Sequence, residues 1–378
     1  MQNDMSYALQ TLWHEKSRYA AGVGAVAFSA VLMALQFGLM LGLFTITSTP
    51  LDHTDPRNVW VGSKDVKAVD LGQPIPVSHI GRIGERPGVM PPEPYIAHFA
   101  NFQKPNGGTD LCFLLGHAGP AGASDVLDSN LRTALTEPFA IVMDESDLER
   151  MGMRETGDTA KINGREVRLV GTVRGLKSLA APWIFCSQTT AREVLSVTNP
   201  IYADHTTYLL ARCDTKQRAT QVVQELSEEY PEMTICTADE FSTRTRWYWL
   251  LRTKAGIALG YAALLGLLVG AIITAQTLYS ATLGSAKEFA TLLALGIPRI
   301  KIYQMVLAQS FWVGIIGVIL AYPVIHVLAL VAERAGTRVV MRWELLLGAA
   351  LVTMLTALLS GVVALRSVKR IEPMSLLR

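Results

Sequence analysis

Apolar residues are concentrated in four long runs, which cover residues 20–45, 253–280, 304–331 and 345–366. Each run reaches the ~20 residues that a helix needs to cross a hydrocarbon core of about 30 Å, and charged residues are absent from the run interiors. We therefore predict four transmembrane helices. A helix buried in the core of a soluble protein is the alternative for any single run, but four such runs favour the membrane.

A short polar stretch, residues 281–303, separates the second and third runs. Four of its residues recur at i, i+3, i+4 and i+7, namely Phe289, Leu292, Leu293 and Gly296. This spacing places one apolar stripe on a helix, while the polar side chains Lys287, Glu288 and Thr291 take other faces. Gly296 followed by Pro298 is a typical helix stop. The pattern predicts a short amphipathic helix, with a solvated loop as the alternative.

The long segment between the first two runs, residues 46–252, has a soluble character and mixes strand and helix patterns. Predicted strands cover residues 58–62, 95–103, 110–116, 139–143, 159–162, 166–172, 183–186, 206–213 and 233–237. Predicted helices cover residues 77–86, 146–151, 189–196 and 215–230. We expect residues 55–120 and 200–245 to form one mixed sheet with helices on one face, and residues 124–195 to form a β-rich insertion. The fold class is therefore an α-helical membrane protein with a large α+β domain.

Both ends of the chain carry membrane-surface patterns. Met5, Leu9, Leu12 and Trp13 recur at helical spacing, which predicts an amphipathic helix over residues 1–19, with a simple extension of the first span as the alternative. A short loop, residues 332–344, separates the last two spans, and a basic tail, residues 367–378, follows them. Four spans would place both ends on one side of the membrane and residues 46–252 on the other.

Composition supports the membrane prediction and says little about partners. The 378 residues are 50% hydrophobic and 17% charged, with a mean hydropathy of +0.29, which is more apolar than an ordinary soluble protein. The formal net charge is only +2, and no basic run predicts nucleic-acid binding. Lysine and arginine lie near span ends on both sides, so the positive-inside rule only leans toward cytoplasmic ends.

The sequence lacks the motifs of the common enzyme classes. It contains no GxxxxGK[ST] phosphate-binding loop, no HExxH metal motif and no GxSxG nucleophile motif. Histidines are scattered through the long segment, among them His79, His98, His117 and His205. Scattered histidines are more often surface or core residues than ligands, so we predict neither a metal site nor a bound cofactor, and no catalytic residues.

All four cysteines, Cys112, Cys186, Cys213 and Cys236, lie in the long segment. An even number in one domain is compatible with one or two disulfides in an oxidising compartment, with Cys213 and Cys236 as the candidate pair. Free buried cysteines are the alternative.

The second span contains two GxxxG motifs, formed by Gly256 with Gly260 and by Gly266 with Gly270. Small residues at this spacing let two helix backbones approach closely within a bilayer. We expect these glycines to form a helix-packing surface, either within the chain or between the copies of a dimer.

Two stretches carry a resemblance to a known family. KEFATLLALGIPRIKIYQMVLAQS at residues 287–310 and the tail RSVKRIEPMSLLR at residues 366–378 resemble the MacB/FtsX-type ABC transporter permeases, most of all the DevC-like permeases. The family's pattern in the polar stretch is matched by Glu288, Thr291, Leu292, Ala294 and Gly296, and the family's tail pattern by Arg370, Pro373, Leu377 and Arg378.

The resemblance implies a permease subunit of the bacterial inner membrane that works as a homodimer with a separate ATPase, which would hold the ATP and Mg. The coupling helix of the family would comprise Lys287, Glu288, Phe289, Thr291, Leu292, Gly296 and Pro298. Residues 46–252 would be periplasmic, with a porter-like part (55–120 and 200–245) and a sabre-like insertion (124–195). Movement of this periplasmic domain would drive a substrate into a membrane fusion or adaptor protein. The spans would be in contact with membrane lipid.

Two other functions fit the same pattern. An FtsX-like mechanotransmitter or a lipoprotein-releasing subunit would share the fold but move no solute through the membrane. A membrane-anchored receptor would bind a ligand with the large domain, although such receptors usually continue into a cytoplasmic signalling domain, and only a short tail is expected after the last span.

Overall fold

The computed structural model describes residues 16–84, 86–119, 121–176, 178, 181–334 and 339–369. The chain divides into two compact units, one formed by Met1–Gly42 with Ile257–Arg378 and the other by Leu43–Gly256. Most of the amphipathic helix predicted over residues 1–19 and of the tail 367–378 lies outside the described residues. The predicted loop 332–344 is described only at its two ends.

The helices follow the predicted order. In chain order they are α1 (Lys16–Ile46), α2 (Thr49–Asp52), α3 (Ile80–Ile83), α4 (Ser129–Ala134), α5 (Leu148–Met151), α6 (Gln188–Ser196), α7 (Lys216–Glu229), α8 (Ala238–Arg252), α9 (Lys254–Gly284), α10 (Ala286–Ala294), α11 (Arg299–Arg334) and α12 (Trp343–Lys369). Four of them contain segments long and apolar enough to cross a membrane, namely Tyr19–Ile46, Lys254–Thr277, Arg299–Ala332 and Trp343–Val362. The four predicted runs are therefore confirmed as long apolar helices.

In the unit that contains these helices, α1 and α11 meet through small residues. A Cβ built on Gly317 of α11 would lie 2.6 Å from a methyl carbon of Val26 in α1. Val26 itself is fully buried, in a cluster that includes Val313 and Ala357. Because lipid offers no hydrophobic drive for helix association, such close backbone approach supplies much of the attraction between spans.

Eleven strands are described in the unit Leu43–Gly256. They are β1 (Asn58–Gly62), β2 (Ile75–Pro76), β3 (Glu93–Gln103), β4 (Thr109–His117), β5 (Ala140–Asp144), β6 (Thr159–Ile162), β7 (Arg165–Val173), β8 (Trp183–Ser187), β9 (His205–Thr206), β10 (Tyr208–Arg212) and β11 (Thr234–Thr237). Nine of them form one sheet in the order β11-β1-β10-β3-β4-β8-β5-β7-β6, and β3 also pairs with β6. The strands from β3 to β6 thus close into a ring of six.

The turn between β3 and β4 is a tight hairpin, as Asn106-Gly107-Gly108 in the sequence indicates. Gly107 and Gly108 have φ angles of +87° and +88°, a conformation that side chains with a Cβ rarely adopt. The amide of Lys104 donates to the carbonyl of Gly108 at 3.0 Å, and the amide of Gly107 donates to the carbonyl of Lys104 at 3.1 Å. The turn joins two long strands that both lie in the ring of six. Strand β3 also pairs with β10, outside the ring.

The predicted division into two subdomains needs correction. Residues 124–195 do not form a separate sheet, because β8 pairs in parallel with β4 and β6 pairs with the end of β3. The insertion therefore continues the sheet of the flanking parts. Pairings between residues far apart in sequence leave no local pattern, so the strands were predicted without their partners.

The helices lie on both faces of the sheet, and not on one face as expected. Val59 and Val61 of β1 pack with Val222 and Leu226 of α7. Trp60, between them, points to the opposite face, where its ring lies 5.7 Å from that of Phe241 in α8. Alternation along β1 thus buries α7 on one side and α8 on the other.

Candidate functional site

The predicted amphipathic helix exists as α10 and ends in a complete Schellman motif. Gly296 has a φ angle of +85°. Its amide donates to the carbonyl of Leu293 at 3.0 Å, and the amide of Ile297 donates to the carbonyl of Leu292 at 3.1 Å. The helix and its stop at Gly296 are confirmed, and the turn gives the chain a fixed exit before Pro298.

The inner face of α10 packs on α11. Ala290 is fully buried with Ile302 and Val306 of α11. Further apolar residues pack around this contact, namely Leu292, Leu293, Ile297 and Tyr303. Sequence reasoning missed Ala290, although Ala290, Leu293 and Ile297 also recur at helical spacing and a small residue allows close approach. The side chains of Lys287 and Phe289 are outside the described set.

The outer face of α10 and the turn that follows it form what we call the coupling surface, consisting of Glu288, Thr291, Leu295, Pro298 and Ile300. All five are exposed. Leu295 is 75% exposed and Ile300 is 61% exposed, which is unusual for large apolar side chains unless another surface covers them. A rigid helix that presents exposed apolar residues beside a carboxylate has the character of a protein docking site.

The four glycines of the predicted packing surface have different surroundings in the structure. There is no room for a Cβ on Gly270, which lies against Ser29 of α1, and a Cβ on Gly266 would lie 3.8 Å from Gln36 of the same helix. Gly266 and Gly270 therefore pack within the chain. A Cβ on Gly260 would meet nothing within 4 Å.

Gly256 has a different role, at the junction of α8 and α9. Its amide donates to the hydroxyl of Thr253 at 3.1 Å, and a Cβ there would collide with the carbonyl oxygens of Trp249 and Leu250. The glycine is required by the passage from one helix to the next. Gly256 thus lies against the last turn of α8, and its part in a dimer contact stays a prediction.

A polar cluster that sequence reasoning missed ties α8 to the end of α1. We call it the junction clamp, and it consists of Ser48, Asp52, Ser242 and Arg246. The Asp52 carboxylate accepts from Ser48 Oγ at 2.7 Å, from Ser242 Oγ at 2.5 Å and from Arg246 Nη2 at 2.6 Å. Arg246 Nε also donates to Ser48 Oγ at 2.6 Å.

Helix α8 was itself not predicted, although its start carries a signal. Thr237 Oγ1 accepts from the amide of Glu240 at 3.2 Å, and the Glu240 carboxylate accepts from the amide of Thr237 at 3.0 Å. This is a capping box. Its sequence signature is a threonine followed three residues later by a glutamate, here in Thr-Ala-Asp-Glu. The dense run of aromatic and basic residues that follows hides the apolar period of the helix.

The predicted disulfide between Cys213 and Cys236 is wrong in this structure, where all four cysteines are free and buried. Cys213 packs on the α7 face of the sheet, and Cys236 packs on the α8 face. Strand β1 lies between their two strands, so the thiols point to opposite sides. Burial raises the pKa of the Cys236 thiol to about 12, which makes it a poor nucleophile.

The scattered histidines remain separate. Burial lowers the pKa of His98 and of His117, so both favour the neutral form. Within the described residues, no three His, Cys, Asp or Glu side chains are arranged to hold a metal ion.

The family assignment rests on the helices that carry the coupling surface. Residues 260–373 match the family model of the FtsX-like permease C-terminal domain. The match covers just under a third of the chain. It runs from Gly260 in α9 through α10 and α11 into the residues after α12. The resemblance to MacB/FtsX-type ABC permeases is confirmed, whereas the finer assignment to the DevC-like permeases is not.

Comparison with solved structures gives distant similarities. The chain is similar to the periplasmic region of MacB from Actinobacillus actinomycetemcomitans, at 10% identity and a TM-score of 0.35, with 50% of this chain and 92% of that chain covered. It is also similar to the extracellular domain of the noncanonic ABC-type transporter YknZ from Gram-positive bacteria, at 8% identity and a TM-score of 0.35, with 48% and 100% covered. None of the curated proteins matches the chain.

The matched region and the four apolar helices together support a multi-pass membrane protein of the permease type.

Proposed function

We propose that the chain is the non-catalytic permease subunit of an ABC-type exporter in the bacterial inner membrane. A separate ATPase, holding ATP and Mg, would dock on the coupling surface, and two copies of the chain would form the transporter. The periplasmic domain would then move and drive a substrate into an adaptor protein. The observation that carries the proposal is α10, which is anchored through Ala290 and exposes Leu295 and Glu288.

The route for force follows from chain continuity. Helix α9 starts at Lys254, directly after α8 ends at Arg252. The junction clamp holds α8 against Ser48 and Asp52, which follow α1. A displacement of α9 would therefore move α8, and a displacement of α1 would move the segment with Ser48 and Asp52. These two elements are hydrogen-bonded to each other, and α8 packs on the sheet.

Buried hydroxyl groups in the spans support a mechanism without a polar channel through one subunit. Ser310 donates to Val306 O at 2.9 Å, Thr353 to Ala349 O at 2.7 Å and Ser360 to Thr356 O at 2.6 Å. These three groups bond within their own helices, whereas the buried hydroxyls of Ser29 and Thr274 find no partner among the described residues, so free hydroxyls in the described spans are few. The same observation favours a second candidate, a mechanotransmitting or lipoprotein-releasing subunit that moves no solute through the membrane.

Charge reversal on the coupling surface tests the ATPase contact. We expect Glu288→Lys to leave the chain in the membrane but to reduce the recovery of ATPase with the tagged chain, and the ATP hydrolysis of the isolated complex, by about tenfold, or about 1.4 kcal/mol. The physical reason is that the side chain is exposed, so the change alters the outer surface and leaves the contact of Ala290 intact.

Two matched variants keep the test specific. Gly296→Trp puts a bulky side chain at a φ of +85° beside this surface and should uncouple the ATPase as well. Gly348→Ala adds a methyl group on α12 where a Cβ meets nothing within 4 Å and should change neither readout. Unchanged recovery and hydrolysis in both Glu288→Lys and Gly296→Trp would contradict the proposed site.

A further inference from the structure

A small cavity lies inside the unit Leu43–Gly256, beside the end of the first candidate span. Its volume is about 60 Å³. The wall is almost entirely apolar and is contributed by Leu43, Ile46, Phe99, Phe113, Trp183 and Trp249. Four of these side chains are aromatic and come from β3, β4, β8 and α8. We call this space the aromatic cavity.

One carboxylate belongs to the same wall. Asp70 lies in the 3₁₀ turn Val69–Leu71. Its Oδ1 accepts a hydrogen bond from the indole Nε1 of Trp249 at 3.1 Å. Burial is the main cause that raises the pKa of Asp70, and the hydrogen bond from Trp249 opposes it. Among the ion pairs of the described residues, Asp70 is matched with no lysine or arginine.

This combination selects a class of ligand. Burial favours the neutral form of the Asp70 carboxyl, and an organic cation beside it would restore the carboxylate, whereas an anion would be repelled. Aromatic rings attract cations through their negative faces, and organic ammonium groups are the ligands for which such rings are used. The wall also carries the hydroxyl groups of Thr47 and Ser178, so water is the competing occupant that a cation has to displace.

We propose that the aromatic cavity binds an organic ammonium group, with Asp70 as the counter-ion. A water-sized group fills roughly 10–15 Å³ on the same measure, so about 60 Å³ accommodates roughly four such groups. An ethanolamine or a trimethylammonium group has that size. The inference is independent of the ATPase contact, because it concerns only residues of the extracytoplasmic unit.

Two sources present this chemistry. Leu43 and Ile46 belong to the last turn of the candidate span Tyr19–Ile46, and tryptophan is enriched at the level of lipid headgroups. A lipid with an ethanolamine or choline headgroup would therefore be within reach of the cavity. A free amine that the transporter handles would bind through the same groups.

The test uses the full chain in nanodiscs of phosphatidylglycerol, which carries no ammonium group. The probe is tetramethylammonium, compared with sodium at the same ionic strength and with neopentyl alcohol, a neutral molecule of the same shape. Binding to the folded chain stabilises it by RT ln(1 + L/Kd), where L is the ligand concentration, so the rise of the unfolding temperature with ligand concentration gives an affinity. We expect tetramethylammonium to stabilise the wild type more than sodium or the alcohol does. Equal effects of the cation and the alcohol would overturn the proposal.

Asp70→Asn is the decisive variant, because an asparagine oxygen can still accept from Trp249 while the charge is lost. Its affinity for tetramethylammonium should fall at least about tenfold. Phe99→Leu keeps an apolar wall but removes one ring, and should weaken binding of the cation and not of the alcohol. Glu228→Gln neutralises an exposed carboxylate on α7 and should change nothing. An unaltered affinity in Asp70→Asn would refute the site.

Nanodiscs that also contain phosphatidylethanolamine distinguish the sources. If the lipid headgroup occupies the cavity, the lipid will lower the apparent affinity for tetramethylammonium in the wild type but not in Asp70→Asn. If the affinity is unchanged by the lipid, a free amine is the ligand. Failure of tetramethylammonium to bind in phosphatidylglycerol alone contradicts the proposal in both forms, whatever the fate of the ATPase contact.

Discussion

Asp55 joins two strand ends through paired arginines. Its carboxylate accepts from Arg57 Nε at 2.9 Å and Nη2 at 2.7 Å, and Arg212 Nη2 lies 2.9 Å away. Arg57 stands just before β1, and Arg212 ends β10. The hydrogen bond from Arg57 is the main cause that lowers the pKa of Asp55 below 3.8, and burial opposes it.

This pair predicts a pH dependence of stability. A carboxyl whose pKa is lowered by folding stabilises the protein above its unfolded pKa, and the contribution is lost as pH falls through the folded pKa. We expect Asp55→Asn to destabilise the full chain at about pH 7 and to make much less difference at a second, acidic pH that lies below the lowered pKa. Denaturant midpoints in micelles measure this, with Glu228→Gln as the control. The same loss at both pH values would show that charge is not the cause.

At the scale of elements, the junction clamp is the contact that joins α8 to the segment after α1. The side chains of Arg246 and Asp52 are only 28% and 29% exposed, so their interaction is weakly screened. The guanidinium of Arg246 also lies 5.6 Å above the ring of Phe44. The ion pair with Asp52 and the contact with the Phe44 ring therefore hold the same arginine side chain in place.

A double-mutant cycle with Asp52→Asn and Arg246→Gln should give a coupling free energy of about 1 kcal/mol or more. The control is the pair Lys216 and Asp239, 3.6 Å apart and 60% and 77% exposed, which should give a coupling near zero. Denaturant unfolding of the full chain measures both cycles. Similar values for the two pairs would mean that the clamp is an ordinary surface ion pair.

In the isolated transporter, Arg246→Gln should keep ATP hydrolysis and lose substrate movement.

Several elements could be predicted because their signals are local. The spans follow from apolar length, and the turn at Gly107 and Gly108 follows from the freedom of glycine. The stop of α10 at Gly296 is equally local. The buried side of α10 was misjudged, since the contact of Ala290 depends on α11, and α8 was missed because aromatic and basic residues interrupt its pattern.

At the scale of the molecule, the arrangement of strands decides the state of the cysteines. The sheet separates Cys213 and Cys236 onto opposite faces, and the structure leaves the four thiols free and buried. We expect a thiol reagent to modify four cysteines per chain after denaturation and close to none in the native protein. Two or fewer reactive thiols in the denatured, unreduced chain would demonstrate a disulfide.

The topology and the aromatic cavity were beyond sequence reasoning for the same reason. The cavity wall combines β3, β4, β8, α8 and the end of α1, which are separated by long stretches of chain. Only the closed ring and the placement of α8 bring Asp70 beside Trp249. Patterns along one element do not contain that information.

The long strand β3 has a mechanical consequence. Its first residues pair with β10, and its last residues, Phe102 and Gln103, pair with β6 on the far side of the ring. Eleven residues of extended chain measure about 36 Å, so β3 is a lever arm shared by both parts of the domain. A tilt of roughly 5° at the β10 end would carry the other tip by about 3 Å over that length. A small rotation at the β10 end would thus become a displacement of the β6 end large enough to open or close a contact there.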